Sequence, residues 1–279
     1  GVLLGLTPAL KYPRRRISAA LHGTGRTIGI SRERHRIQNG LVVAQVALAL
    51  VLLVGSGLMI RTFQALRAVE PGFTNPEQLQ VLRVVIPPPT IADPERVVRL
   101  QNDIVNSLGA IPGVVSAGYV SSMPMEGLPT NWDAIQVEGQ PRPPDDPGPL
   151  RRLKYLSPGF LAASGTRLVA GRDLTWAEVY DVRPVVLVSE NLAREVWGSP
   201  ADAVGKRIRV GGPQSPWREV IGVVQDVRDE SVDVAAPAIV YFSPLFSRDG
   251  VTRATTFVVR RPQAGPQGFL RQAEQAVWG

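Results

Sequence analysis

The chain has 279 residues, enough for one large or two small domains, with 31 basic and 24 acidic side chains and a net charge of +7. It has no cysteine and only two histidines, His22 and His35. This excludes disulfides and thiolate chemistry throughout, and Ser-His-Asp triads or His metal sites anywhere after residue 35.

Residues 1 to 10, GVLLGLTPAL, read either as the tail of an earlier apolar segment or as a frayed terminus. The chain starts without Met, so the expectation is a fragment with its upstream part missing. Residues 11 to 39 form a basic link. From Lys11 to Arg36 there are eight basic residues against Glu33 alone, so the rest of the chain is charge-balanced. Such an excess beside an apolar segment is the positive-inside signature, and it puts this side in the cytoplasm. The alternative, a nucleic-acid patch, lacks the interleaved aromatics that single-strand binding uses. Ile17, Ala20 and Leu21 suit a short helix on the membrane surface. GTGRTIG at 23 to 29 spaces its glycines wrongly for a dinucleotide loop and reads as a flexible link.

Gly40 to Ile60 carries no charge, and 12 of its residues are Leu, Ile or Val. Roughly 20 apolar residues cross the ~30 Å hydrocarbon core, and these 12 contribute about −4 to −7 kcal/mol to insertion. A buried core helix is the competing reading, but a core helix seldom runs this long without a polar face. Gln45 and the small residues Gly55, Ser56 and Gly57 suit packing against other membrane helices, or simply general membrane-helix composition. The helix is expected to run on to about Val69, where Glu70-Pro71-Gly72 stops it.

Beyond it, Leu79–Ile86 reads as a strand. Asp93-Pro94 opens a helix whose Val97, Leu100, Ile104 and Leu108 share one face. Val114–Ser121 is a second strand, and the order permits a parallel pair with a right-handed crossover. A strand near Ala134–Val137, a loop at 141 to 149 (PRPPDDPGP), and a strand at Leu153–Leu156 follow. Helical turns are expected at Pro158–Ser164 and Thr175–Val179, and a buried strand at Arg183–Ser189. Asn191–Trp197 is an amphipathic helix. Strands at 207–210, 219–227, 238–242 and 255–260 precede a last helix from Gln267 to Trp278. The fold class is α+β, with two intertwined subdomains outside the membrane.

No P-loop is present; Gly205-Lys206 lacks the upstream glycine and the hydroxyl residue. Asp226, Asp229 and Glu230 suit either Ca²⁺ or an acid/base pair, but Val227 and Arg228 between them suit a solvated turn. Trp132, Trp176, Trp197 and Trp217 read either as a ligand cleft or as core. No catalytic, cofactor-binding or metal-ligating residue is assigned.

LVVAQVALALVLLVGSGLMIRTFQALRAVEPGF (41 to 73) resembles the membrane helix and exit of MacB/FtsX-like ABC transporter permeases, in particular the duplicated orphan branch. Four further blocks are similar to that family's periplasmic core domain: LGAIPGVVSAGYVSSMP (108 to 124), LSPGFLAASGTRLVAGRDLT (156 to 175), VVLVSENLAREVWGSPADAVGKRI (185 to 208) and EVIGVVQDVRDESVDVAAPAIVYFSP (219 to 244). Gly165-Thr166-Arg167 departs from the family's apolar step, and the C-terminal membrane helices are missing. The resemblance implies three parts. Residues 1–39 are the end of a preceding membrane segment and a cytoplasmic linker. Residues 40–69 are the transmembrane helix and its exit. Residues 70–279 are a periplasmic core domain with a porter-like βαβ subdomain and an inserted β-rich subdomain. It further implies a non-enzymatic permease subunit in the plasma membrane, partnered by a separate ABC ATPase, membrane lipid and other permease helices in a dimeric or pseudo-dimeric assembly. No cofactor and no nucleic acid are implied. The competing function is a membrane-anchored binding or sensing module that never transports; an extracytoplasmic enzyme is disfavoured by the missing histidine and cysteine.

Overall fold

The structure, a computed structural model, describes residues 28–67, 69, 71–128, 131–140, 143, 146–247, 250–262 and 266–278. The chain divides into two units, 1–67 and 68–279. In the first, helix α1 spans Ile28–Arg67, 40 residues. It begins twelve residues before Gly40, so the end of the basic link is helical, including Ile28 and Gly29, the last two residues of the glycine-rich stretch read as flexible. It ends at Arg67, before the expected Val69. Its stretch His35–Leu66 is apolar enough to cross a membrane, and none of it is buried within the protein. At 1.5 Å per residue those 32 residues measure about 48 Å, longer than the hydrocarbon core.

The second unit opens with a 3₁₀ turn at Pro76–Gln78. It continues through β1 (Leu79–Val85), α2 (Pro94–Gly109), β2 (Ser116–Val120), β3 (Asn131–Val137), β4 (Leu150–Tyr155), α3 (Phe160–Ser164) and β5 (Leu168–Gly171). Then come α4 (Trp176–Tyr180), β6 (Val185–Ser189), α5 (Glu190–Trp197), α6 (Pro200–Ala203), β7 (Arg207–Val210) and β8 (Arg218–Val224). The last elements are β9 (Ile239–Phe242), β10 (Leu245–Ser247), β11 (Gly250–Val251), β12 (Ala254–Arg260) and α7 (Pro266–Trp278).

β1, β12 and β2 make a three-stranded antiparallel sheet, with β12 in the middle. β1 and β2 therefore run the same way without touching, and the expected neighbouring parallel pair is a split βαβ unit. α2 starts as read: the Asp93 carboxylate accepts from the Glu95 N–H at 3.0 Å, and Pro94 opens the helix. Its buried stripe, including Ile104 and Leu108, packs with Tyr119, Phe257 and Val259 of the sheet and Phe269 of α7.

Between β2 and β12 seven strands make the second sheet, in the order β5-β8-β6-β9-β4-β3-β7, while β10 and β11 form a separate antiparallel pair. β7 also pairs with β8, so six of these strands close into a barrel. All of β6 is buried, as a strand covered on both faces must be. Ile135, Leu153, Val186, Ile208, Val240 and Phe242 fill the interior, with Leu192 and Ala193 of α5 and Ala203 of α6. The outer face carries Leu187, Ile221, Ile239 and Tyr241. These pack against Val120 and Val258 of the small sheet and Phe160 and Leu161 of α3. β5, α6, β10 and β11 go beyond the elements read from the sequence, β8 stops at Val224, and β3 starts at Asn131. The GTGRTIG motif lies outside the described residues except Ile28 and Gly29, as do residues 1 to 27 and His22; parts of the 141–149 loop are likewise outside.

Candidate functional site

The seam between barrel and small sheet holds the most concentrated chemistry. β4 runs parallel to β9, with Arg152 opposite Ile239 and Lys154 opposite Tyr241. Alternation puts both cations on the outer face, toward the seam. Their side chains are 4% and 3% exposed. Buried cations require partners. The loop after β8 supplies one: the Asp229 carboxylate, 2% exposed, accepts from Arg152 Nη1 with one oxygen and from Lys154 Nζ with the other. Lys154 Nζ also donates to the Ser122 carbonyl at 2.9 Å, reaching the end of β2. Arg152 Nη2 donates to Glu230 at 2.5 Å, where the carboxylate is half exposed. Burial pushes the Lys154 ammonium below its ordinary range, and the Asp229 carboxylate opposes that push. Two cations and two carboxylates leave the cluster neutral.

Above the cluster lies a cleft of about 360 Å³ lined by Met123, Leu128, Trp132, Arg152 and Glu230. The Arg152 guanidinium sits 4.6 Å over the Trp132 ring, which is 48% exposed. Beneath the cluster a cavity of about 20 Å³, room for a single water, is lined by Phe73, Val120, Phe160 and Tyr241. A second cleft of about 890 Å³ lies on the barrel beside Trp217, whose ring carries Arg209 at 4.7 Å.

The acidic residues named from the sequence diverge. Asp226 accepts from the Asn191 N–H at 2.8 Å and so caps α5; burial pushes its carboxyl upward. Asp229 is not in a solvated turn but deep in the seam, because Arg152 and Lys154 draw it in. Glu230 alone remains half in water. Among the described residues no three His, Cys, Asp or Glu side chains converge as a metal site. The tryptophans divide between the two readings. Trp132 and Trp217 border clefts, Trp176 stacks on Tyr180 at 5.9 Å, and Trp197 packs on the barrel core. Gly205-Lys206 is a tight turn, with Gly205 at φ 82° and its N–H on Val220 O at 2.8 Å.

Sequence reasoning missed Arg152 and Lys154. The string LRRLKY alternates like a strand with a wet face, and nothing in it reports that this face is covered. The only local signal is an acidic pair, Asp229-Glu230, within reach of a strand carrying two cations.

The MacB-like periplasmic core domain model matches residues 40–275. The periplasmic region of MacB from Actinobacillus actinomycetemcomitans is 15% identical, covering 72% of this chain and 82% of that one, with a TM-score of 0.45. The extracellular domain of the noncanonic ABC-type transporter YknZ from Gram-positive bacteria is 14% identical, covering 71% and 88%, with a TM-score of 0.41. No curated protein matches the chain. The family match spans well over half of the sequence and takes in the apolar helix as well as both sheets, and on that ground the chain belongs to the MacB-like periplasmic core domain family.

Proposed function

We propose that this chain is part of an ABC-type permease subunit of the inner membrane. Its α1 crosses the bilayer with the arginine-rich end in the cytoplasm. Its second unit lies outside and moves when a separate ATPase hydrolyses ATP. The observation that carries this reading is the family match over 40–275, which joins the fully exposed apolar helix to the external domain. Residues 1–39, 40–69 and 70–279 then serve as cytoplasmic linker, membrane helix with its exit, and external domain. Lipid headgroups meet the arginines, and other permease helices, in a dimeric or pseudo-dimeric assembly, meet α1. The chain itself performs no chemistry; no catalytic, cofactor or metal residue is assigned to it.

The cleft beside Trp132 favours a second reading, an anchored binding or sensing module without transport. One experiment separates the two. Isolate the full-length protein from its native membrane in mild detergent and assay ATP hydrolysis. The permease reading expects a co-purifying, vanadate-sensitive ATPase; its absence favours the anchored module. Orientation is tested with single cysteines at Arg26 and Asn106 in intact cells. A membrane-impermeant maleimide should label position 106 and spare position 26.

A further inference from the structure

Residues 71–78 lead into β1 at the start of the second unit, and they are seated on three elements at once. The Arg228 N–H, in the loop after β8, donates to the Pro71 carbonyl at 2.9 Å. Gly72 is buried at φ 93°, where a Cβ would overlap the Asp226 carbonyl and lie 2.7 Å from Val227 Cα. Only glycine fits there, for both reasons. Arg260, at the end of β12, fans over the other side. Its Nη2 donates to the Thr74 carbonyl at 2.9 Å, Nη1 to Gln78 Oε1 at 3.3 Å, and Nε to the Ala163 carbonyl of α3 at 3.0 Å. Gly165, closing α3 at φ 73°, leaves room for that guanidinium; a Cβ would sit 2.5 Å from Nη2. The Arg261 N–H then donates to the Gln78 carbonyl at 2.9 Å.

The stem therefore touches the barrel through 226–228, the small sheet through Arg260, and α3 between them. The sheets are also fastened to each other. Ser121 N–H donates to the Tyr155 carbonyl at 2.8 Å, Ser157 N–H to the Tyr119 carbonyl at 2.9 Å, and Val120 bridges Leu156. Lys154 adds its bond to Ser122, and one apolar core spans the seam. A lever fixed to one side of a hinge moves that side alone. A lever fixed to both sides of a fastened seam moves both.

We infer that the stem is a rigid coupling joint: Arg260 is its positioning residue, and barrel and small sheet follow the stem as one body rather than hinging at the Trp132 cleft. This deepens the permease reading and rests on it for the driving force, but the joint itself is testable without it.

These 279 residues contain no cysteine, so introduced pairs are unique within them, and any cysteine elsewhere in the complex is replaced first. Place nitroxides on the full-length protein in lipid nanodiscs with its ATPase. One pair, Asn106→Cys with Ala201→Cys, spans the two sheets; the other, Glu77→Cys with Ala201→Cys, spans stem and barrel. Pulsed dipolar EPR should give one narrow distance for each pair, unchanged between nucleotide-free and ATP–vanadate states. Arg260→Ala should broaden the stem pair and leave the inter-sheet pair narrow, and Arg260→Lys should recover part of the loss. Gly72→Ala is the second variant and should act in the same way. An inter-sheet shift of more than about 2 Å with nucleotide means a hinge and overturns the inference. So does a stem pair indifferent to both variants. If the stem pair broadens as expected and the preparation hydrolyses no ATP, the joint stands and the permease reading falls.

Discussion

Two stretches of this chain look alike in composition and end in opposite surroundings. Val46–Val54 of α1 and Val185–Val188 of β6 are both runs of valine and leucine with little else. In β6 every residue is buried, with Val186, Leu187 and Val188 completely so. In α1 the same residue types stand exposed, Val51 at 68% and Leu53 at 71%. What differs is length. β6 needs only four such residues and Ser189 before α5 begins, and its neighbours cover both faces. A helix that stays apolar over His35–Leu66 is long enough to cross a membrane and is left exposed rather than buried along that length. Hydrophobicity says that a segment leaves water; its length says what replaces the water.

The sharpest way to break this comparison is to place one charge in each stretch. Val186→Lys buries an unpaired ammonium inside the barrel, at several kcal/mol. Total stabilities run about 5–15 kcal/mol, so the external domain should be largely unfolded or strongly destabilised. Val51→Lys costs about 3–4 kcal/mol of insertion, against the roughly −4 to −7 kcal/mol of the branched residues. Insertion should weaken without being abolished, and the domain's urea midpoint should not move. All five tryptophans lie after Arg61, so their fluorescence reports the domain alone. Equal midpoints for the two variants would erase the distinction between the stretches.

A charge is tolerated at the barrel wall where it is paired. Asp229→Ala leaves Arg152 and Lys154 buried with only half of their countercharge, and removing one member of such a cluster costs about 3–5 kcal/mol. The deficit has a pH signature. Burial already lowers the Lys154 pKa, and without Asp229 the folded state gives up that proton still more readily than the unfolded chain does. Where the unfolded state binds more protons, stability rises with pH. The Asp229→Ala deficit in urea midpoint should therefore shrink on the alkaline side, and Lys154→Met in the same background should recover part of it. A deficit that is flat from neutral to alkaline pH would assign the loss to packing instead.

The same contrast explains how much was legible beforehand. α1 was readable because its signal is local: one uninterrupted apolar run beside a basic one. Most strands were readable from short apolar runs between turn residues, and α2 from its cap and its stripe. The closed barrel was not. It depends on β4 pairing with β9 and β7 with both β3 and β8, and no periodicity encodes a partner far along the chain. The place of β12 between β1 and β2 was hidden for the same reason. At the site, Trp132 and Asp229 were in view, but the covering of Arg152 and Lys154 was not. Gly72, Gly165 and Arg260 form one seat from three distant positions, and each alone reads as an ordinary turn glycine or surface arginine.

The smallest effect comes from an ion pair at the surface. Arg172 grips Glu178 with two hydrogen bonds, 2.6 and 2.9 Å. Glu178 also closes the α4 capping box, accepting from the Thr175 N–H at 3.1 Å. The Arg172 guanidinium first, and the Thr175 donors after it, hold the Glu178 carboxyl down at about 2, against an ordinary 4.5. Arg172 is 55% exposed, so solvent screens the pair, and its contribution with the cap is about 1 kcal/mol. A carboxylate held low in the folded state stabilises above its unfolded pKa. That contribution fades as pH falls from 4.5 toward 2. Glu178→Gln should therefore lower the urea midpoint slightly at pH 7, less in high salt, and converge on the parent near pH 2. A difference that persists unchanged at pH 2 and in molar salt would show that Glu178 acts through its shape rather than its charge.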